Sequence, residues 1–160
     1  MARLIPNQNT WVGFAATVSN IAAPTAAEVT AAINLTSFVI SLNAASQGNT
    51  VPTPAFDSLF ETSIVGTSQA SFSGDFYRDN GSNNDKAWTT LPRNTNGFFI
   101  ISRFGGSGTG KKPVAADVVE VWPVSVTSRT MANMANNTVL MFTATCSVPL
   151  EPNEAATVAP

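Results

Sequence analysis

The last third of the sequence constrains the fold more than any other part. Two runs of strand-forming residues lie there, Asp117–Thr130 and Asn137–Val148, with the short polar segment Met131–Asn136 between them. The second run alternates in the pattern of a strand with one buried face. Its apolar set is Leu140, Phe142, Ala144, Cys146 and Val148, and its opposite set is Met141, Thr143, Thr145 and Ser147. At about 3.3 Å per residue each run reaches roughly 40 Å, so the pair predicts a long β-hairpin that forms a wall of the fold.

The first half of the run Asp117–Thr130 is apolar on both sides. One face carries Val118, Trp122, Val124 and Val126, with Ser125 and Thr127 opposite. On the second face Val119 and Val121 replace the polar residues that a solvated strand would show. We therefore predict that the core covers one side of this half and that another element covers the other side.

The composition indicates one domain whose surface is partly hidden by self-association. Its 160 residues are enough for a single domain with a substantial core. Only 11% of the residues are charged and 44% are apolar, whereas a typical soluble domain carries about 25% charge. The net charge is −2 and no run of basic residues is present. This argues against specific nucleic-acid binding, because such binding requires clustered Lys and Arg.

The rest of the sequence predicts further strands and one short helix. Thr25 and Glu28 have the spacing of a capping box, which predicts a helix over Ala26–Ile33. Strands are predicted at Thr10–Val18, Asn34–Leu42, Thr67–Tyr77 and Gly97–Phe104, a short strand or turn at Phe56–Val65, and a brief helical turn at Ala87–Leu91.

The polar segments between these elements are predicted as loops. They are Asn43–Pro54, Arg78–Lys86 and the flexible loop Gly105–Pro113. Pro149–Pro160 contains three prolines and two glutamates and is predicted to be an extended arm or a disordered tail. The expected organisation is an arm over residues 1–9, a single β domain over 10–148, and an arm or tail over 149–160.

The sequence offers no set of residues for catalysis, metal binding or cofactor binding. It has no histidine, which excludes Ser-His-Asp and Cys-His catalysis and most zinc chemistry. Cys146 lies on the apolar face of a predicted strand and is interpreted as a small hydrophobic residue. The N-terminal segment has no hydrophobic leader and no run of apolar residues is long enough to cross a bilayer. We therefore expect no signal peptide and no membrane binding.

Two segments resemble ligand-binding motifs. Gly105–Lys111 fits G-x-x-x-x-G-K, but Lys112 replaces the Ser or Thr that would bind magnesium, Pro113 removes an amide, and a strand pattern follows in place of a helix. We interpret it as a connection between two strands. Asp79–Asp85 resembles a calcium loop but lacks the spaced carboxylates and the closing Glu, so we interpret it as a solvated turn.

The order of the segments resembles the major tail tube proteins of long-tailed bacteriophages, particularly those that infect actinobacteria. The likeness is most specific where Asn20-Ile21-Ala22-Ala23 precedes Pro24-Thr25-Ala26-Ala27-Glu28. It continues through Phe72–Tyr77, Gly97–Ile101, Val119–Val126 with its Trp122-Pro123-Val124 core, and a closing strand with a polar tail, over about residues 10 to 150.

The resemblance implies a mostly β protomer, a β-sandwich or β-barrel with one short flanking helix. Such protomers would form hexameric rings that stack into a hollow tube, with their long strands joined edge to edge into a ring-wide barrel. A closed ring suits long strands, since an open strand edge invites aggregation unless a partner covers it. The protein would be a structural component of the virion tail and not an enzyme, made in the cytoplasm of the bacterial host.

The same resemblance implies a passive, self-assembling conduit. The lumen would hold the tape measure protein and conduct double-stranded DNA during genome ejection, and tail tip initiator and tail terminator proteins would bound the tube. The candidate lumen-facing residues are Ser71, Ser73, Asp75, Thr143, Thr145 and Ser147. The predicted loop Asn43–Pro54 and both arms would contact the neighbouring ring, with Gln47, Gly48, Asn49 and Thr50 as the candidate loop residues.

Other functions stay open at this point. The same features fit the tube subunit of a contractile tail or injection system, and a coat or decoration protein with a β-sandwich fold. An enzyme or nucleotide-binding domain is supported by Gly105–Lys111 alone.

Overall fold

The structure is a computed structural model that describes residues 9–56, 59–80 and 85–160. The elements in it are β1 Trp11–Ala15, α1 Ala26–Ala31, β2 Ile33–Asn34, β3 Val39–Thr53, β4 Thr62–Tyr77, α2 Lys86–Thr90, β5 Asn96–Ser102, a 3-10 turn Thr109–Lys111, β6 Val118–Met131, β7 Met141–Ser147 and β8 Asn153–Thr157. Over this part of the chain the strands form one antiparallel sheet in the order β2-β1-β5-β6-β7-β4-β3, and β8 pairs with β6. The predicted mostly β fold with a short flanking helix is confirmed, and α2 confirms the brief helical turn at Ala87–Leu91.

The sheet folds over on itself around one aromatic core. Phe72 of β4 stacks on Phe99 of β5 with 4.6 Å between ring centroids, although β6 and β7 separate these two strands in the sheet. Trp122 of β6 and Phe142 of β7 complete the same buried cluster. Because residues from both ends of the strand order share one core, the sheet has the two-layered form of a sandwich.

A second core lies on the opposite face of the central strands. Ile100 of β5 and Val121 of β6 belong to it, together with Val29 of α1 and Ala156 of β8. The prediction that the first half of β6 is covered on both sides is therefore confirmed. Val118 is an exception, because it stands at the first position of β6 and is 61% exposed.

The helix α1 begins as its capping box predicts. The Thr25 side chain accepts a hydrogen bond from the Glu28 amide at 3.2 Å, and the Thr25 amide donates to Glu28 Oε2 at 2.8 Å. Ser19 adds two donors to Glu28 Oε1, its amide at 2.8 Å and its hydroxyl at 2.6 Å. The Ser19 hydroxyl, the Thr25 amide and the Ser19 amide all donate to the carboxylate, and these three bonds lower the pKa of Glu28 to about 2 because they favour its ionised form.

The region 34–54 differs from its prediction. A turn over residues 35–38 divides the expected strand Asn34–Leu42 into β2 and β3. The prediction of a loop over Asn43–Pro54 is wrong, because β3 continues through it to Thr53 and pairs with β4, with one irregularity between Gly48 and Thr50. Its residues are mostly small and polar and both of its faces are exposed near the tip, so no period-two signal marks it as a strand.

Residues 149–160 also depart from their prediction. They belong to the domain instead of forming an arm or tail outside it, because β8 pairs with β6 and both Ala156 and Val158 are buried. The sequence pattern that would predict this strand is weak, because β8 has only five residues and its buried side chain is the small Ala156. The strand predicted over Asn137–Val148 is shorter than expected and begins at Met141.

Gly105–Pro113 connects two strands as expected, but it is a hydrogen-bonded turn, with the Gly106 amide donating to the Lys111 carbonyl at 2.7 Å. The predicted arm over 1–9 and the predicted turn over Asp79–Asp85 lie largely outside the described residues. No helix within the described ranges is long and apolar enough to span a membrane.

Candidate assembly surfaces

The six predicted lumen-facing residues lie together on one face of two adjacent strands. In the register of β4 with β7 they form three cross-strand pairs, Ser71 with Ser147, Ser73 with Thr145, and Asp75 with Thr143. The opposite faces of both strands carry the core residues Phe72, Phe76, Phe142, Ala144 and Cys146. Period-two alternation thus located both halves of one polar surface, although nothing in the sequence showed that the two strands are neighbours.

Asp75 is the charged residue among these six, and its carboxylate is held in place. Ser41 donates to Oδ2 and Thr143 donates to Oδ1, each at 2.6 Å. These two hydrogen bonds lower the pKa of Asp75, so the group carries a negative charge at neutral pH. Sequence reasoning missed Ser41, because an irregularity in β3 between Val39 and Ser41 shifts the alternation by one residue at that point.

The polar surface extends onto the strands on either side. One row of paired residues runs Thr130, Thr143, Asp75 and Ser41 across β6, β7, β4 and β3, and a parallel row runs Ser128, Thr145, Ser73 and Asn43. We call these eight residues, with Ser71 and Ser147, the polar face. It contains hydroxyl, amide and carboxylate groups and no Lys or Arg.

Two arginines near the polar face, Arg129 of β6 and Arg78 just after β4, make their contacts away from it. Arg129 pairs with the core residue Ala144 and its guanidinium lies 3.8 Å from the Trp88 ring centroid, while it donates to the Trp88 carbonyl at 2.9 Å. Arg78 lies over the same ring at 4.0 Å and forms an ion pair with Asp85 at 2.6 Å. Trp88 therefore holds two cations away from the polar face.

β3 and β4 extend far beyond the body of the domain. β7 pairs with β4 only from Ser71 to Tyr77, and past that point β3 and β4 pair only with each other in the part of the chain that the structure covers. We call residues 46–53 and 62–69 the distal ribbon. The predicted inter-ring residues Gln47, Gly48, Asn49 and Thr50 all lie in it and are exposed, in a strand and not in a loop.

The register of the distal ribbon is fixed close to its tip. Thr53 and Thr62 are directly paired, with 2.8 Å between their hydroxyl oxygens, and each hydroxyl donates to the other residue's carbonyl at 3.0 Å. The edge of β3 is open along its length, since β3 ends the strand order of the described sheet. Open edges of this kind require a partner or protection against aggregation.

The tip of the distal ribbon carries large apolar side chains on the surface. Phe56 and Leu59 are fully exposed, at 116% and 110% of their reference areas. Val51, Ile64 and Val65 are also exposed. Val51 and Ile64 are paired and share one face of the hairpin, whereas Val65, paired with Thr50, lies on the other face. Sequence reasoning missed this patch, because its members come from three short segments that only the hairpin brings together. Exposed apolar patches on a protruding element mark interaction surfaces.

Neither metal binding nor thiol chemistry is supported by the residues that the structure describes. No group of three or more potential metal ligands is found among them. Burial raises the pKa of the Cys146 thiol to about 11, so the group is protonated at neutral pH and does not act as a nucleophile.

Comparison with known proteins identifies a family and a shared fold. A family model described as phage tail tube protein matches residues 1–160. No curated protein matches the sequence. A chain from the virion of a native gene transfer agent particle has a TM-score of 0.60 at 10% identity, and the match covers 98% of this chain and 100% of that chain.

Two further solved structures have the same fold. A chain from the tail of an empty gene transfer agent particle with C6 symmetry has a TM-score of 0.61 at 10% identity, covering 96% of this chain and 100% of the other. A chain from the sheath/tube terminator of an extracellular contractile injection system in its extended state has a TM-score of 0.60 at 11% identity, covering 93% and 95%. At such low identity these matches show the fold alone.

Proposed function

The chain belongs to the phage tail tube protein family, and we propose that six copies of it close into a ring and that the rings stack into a hollow tube. The family is structural and not enzymatic, and its place is the virion tail. The proposal of six-fold rings is supported by the C6 symmetry of the gene transfer agent tail that shares the fold. A tail tip initiator and a tail terminator would bind the two ends of the stack.

The polar face carries this proposal. It runs across four adjacent strands and reaches β3, the strand whose edge is open. Edge-to-edge joining at β3 would continue the same face into the next subunit, and closure of the ring would place it on one side of a barrel wall. We propose that this side is the lumen, lined by Ser71, Ser73, Asp75, Thr143, Thr145 and Ser147.

The chemistry of the polar face suits a conduit for DNA. A bore with hydroxyl groups, one carboxylate per subunit and no cations would not neutralise phosphates, and phosphate neutralisation supplies most of the affinity of proteins for DNA. DNA would therefore pass without being held. Before ejection the same lumen would enclose the tape measure protein.

The distal ribbon would join one ring to the next. A two-stranded hairpin that packs on nothing is marginal in water, so its length and its apolar tip are explained if a second subunit covers it. In this proposal Gln47, Gly48, Asn49 and Thr50 contribute to the contact between rings from β3, as does the segment over residues 1–9.

The type of tail is a separate question. We propose a long non-contractile tail, on the sequence resemblance to proteins of long-tailed phages. The second candidate is the tube of a contractile injection system, favoured by the likeness to a contractile sheath/tube terminator. If assembled tubes bind a sheath protein whose gene neighbours the gene for this chain, the contractile assignment is the correct one. A coat or decoration role is not retained, because the chain belongs to the tail tube family.

Substitution of Asp75 tests the lumen assignment. We expect Asp75→Lys to assemble into tubes, because the side chain is at the surface of the sheet, but to slow DNA ejection, since the subunits of each ring would then place cations along the bore. Asp75→Asn is the matched control, because it removes the charge without adding a cation, and it should eject DNA at close to the normal rate. Ejection rates are measured by release of a fluorescent DNA dye from particles carrying each variant. Equal rates for all three proteins would place Asp75 outside the bore.

A further inference from the structure

We propose that the apolar tip of the distal ribbon docks on the opposite end of another copy of this chain, at the turn between β6 and β7. The inference rests on the proposed tube and names the partner surface within it. The apolar tip consists of Val51, Phe56, Leu59 and Ile64, and the receiving surface, here called the methionine end, consists of Met131, Met134 and Val139.

The methionine end is a second exposed apolar patch. Met134 is 84% exposed, Val139 is 61% exposed and Met131 is 40% exposed, and the Met131 sulfur accepts a weak hydrogen bond from Arg78 at 3.6 Å. The turn that carries them is ordered by hydrogen bonds, with the Thr138 hydroxyl donating to the Ala135 carbonyl at 2.7 Å and the Ala132 amide to the Met141 carbonyl at 3.0 Å. Methionine side chains adapt to the shape of an apolar partner, so this surface suits the aromatic and leucine side chains of the tip.

The strand register places the two patches at opposite ends of the subunit. Tyr77, the last residue of β4, pairs with Met141, and Met131 pairs with Phe142. Thr62, the first residue of β4, pairs with Thr53 beside the apolar tip. The full length of β4 therefore separates the tip from the methionine end, and the two patches of one copy cannot meet each other.

Two different patches at opposite ends make a head-to-tail contact. Contacts of this kind do not close between two copies but propagate into an open stack, which is the growth mode of a tube. β4 has 16 residues, which at about 3.3 Å per residue span roughly 53 Å. If the strands tilt by about 35–45°, as barrel strands do, the contact sets an axial repeat of about 40 Å.

Cysteine cross-linking in assembled protein tests this contact. The double variant Leu59→Cys/Met134→Cys is treated with a short bismaleimide, and the native Cys146 does not interfere because it is buried. We expect a ladder of covalent multimers, since each copy is linked to the next. The matched control is Leu59→Cys/Phe104→Cys. Phe104 is 78% exposed but follows β5 near the start of β6, at the end of β6 remote from Met131.

The outcomes distinguish failure of the head-to-tail contact from failure of the proposed tube. Tubes that give a ladder with Met134→Cys and not with Phe104→Cys support the head-to-tail contact. Tubes that give no ladder, or a ladder only in the control, overturn this contact and leave the tube function standing. Protein that forms no tubes under any condition overturns both. As an independent readout, Met134→Ser should raise the concentration needed for tube formation several-fold, whereas Phe104→Ser should leave it unchanged.

Discussion

At the scale of single residues, Glu28 combines a local and a tertiary role. Its carboxylate accepts three hydrogen bonds, one from the Thr25 amide and two from Ser19, so it fixes the start of α1 against the segment that follows β1. The first bond was predictable from the capping-box spacing. The bonds from Ser19 were not, because they depend on how the chain turns between β1 and α1.

This arrangement predicts a pH-dependent stability. The pKa of Glu28 is lowered from 4.5 to about 2 in the folded protein, so its contribution is complete above pH 4.5 and is lost as the pH falls toward 2. We expect Glu28→Gln to lower the free energy of unfolding by about 1 kcal/mol at neutral pH, because the amide loses the negative charge at the N-terminus of α1 and its charge-assisted hydrogen bonds. The difference should shrink below pH 4.5. Urea unfolding across this pH range measures it, with the exposed Glu61→Gln as control, and a difference that is constant down to the lowest pH would contradict the assignment.

The polar face shows how far residue patterns alone could reach. Alternation within β4 and β7 identified six of its residues. In each of these strands the residues of one face are buried, so the residues between them must lie on the exposed face. Ser41, Asn43, Ser128 and Thr130 were not found. β3 and β6 both carry register irregularities, between Val39 and Ser41 and between Val126 and Ser128, and such irregularities reverse the pattern that sequence reasoning follows.

At the scale of elements, the distal ribbon is the part that sequence reasoning misread. Segment 43–54 has the composition of a loop, and it is a strand as far as Thr53 because β4 pairs with it on both sides of an irregularity between Gly48 and Thr50. That pairing is non-local, and the ribbon buries neither face in its own subunit. The sequence therefore shows no alternation of apolar and polar residues that would predict a strand. β8 was missed for a related reason, since its place beside β6 is set by the tertiary fold.

Excision of the distal ribbon separates folding from assembly. Ser46 and Ala70 are directly paired, so replacing residues 47–69 by Asn-Gly closes the hairpin with a two-residue turn of the preferred type. We expect a folded monomer whose thermal unfolding midpoint is within a few degrees of the full chain, because both cores are left intact. This monomer should form no tubes. Circular dichroism and sedimentation velocity check the two properties, and tubes formed without the ribbon would contradict its role between rings.

At the scale of the whole molecule, the residues that stabilise the fold are distinct from the surfaces proposed to mediate assembly and to line the lumen. The two cores hold β1, β5, β6, β7 and the inner half of β4 together, whereas the open edge of β3, the distal ribbon and the polar face are left at the surface. Low charge, long strands and the absence of histidine indicated a structural, self-associating protein from sequence alone. The two-layered closure through Phe72 and Phe99 was not foreseeable, because it joins strands that are not neighbours in the sheet.

The central claim is that copies of this chain form a hollow tube, and electron microscopy of the concentrated protein tests it most directly. We expect hollow filaments of stacked six-subunit rings, with an axial repeat of about 40 Å set by the tilted length of β4. Closed shells, discrete trimers, or solid filaments without a lumen would contradict the account.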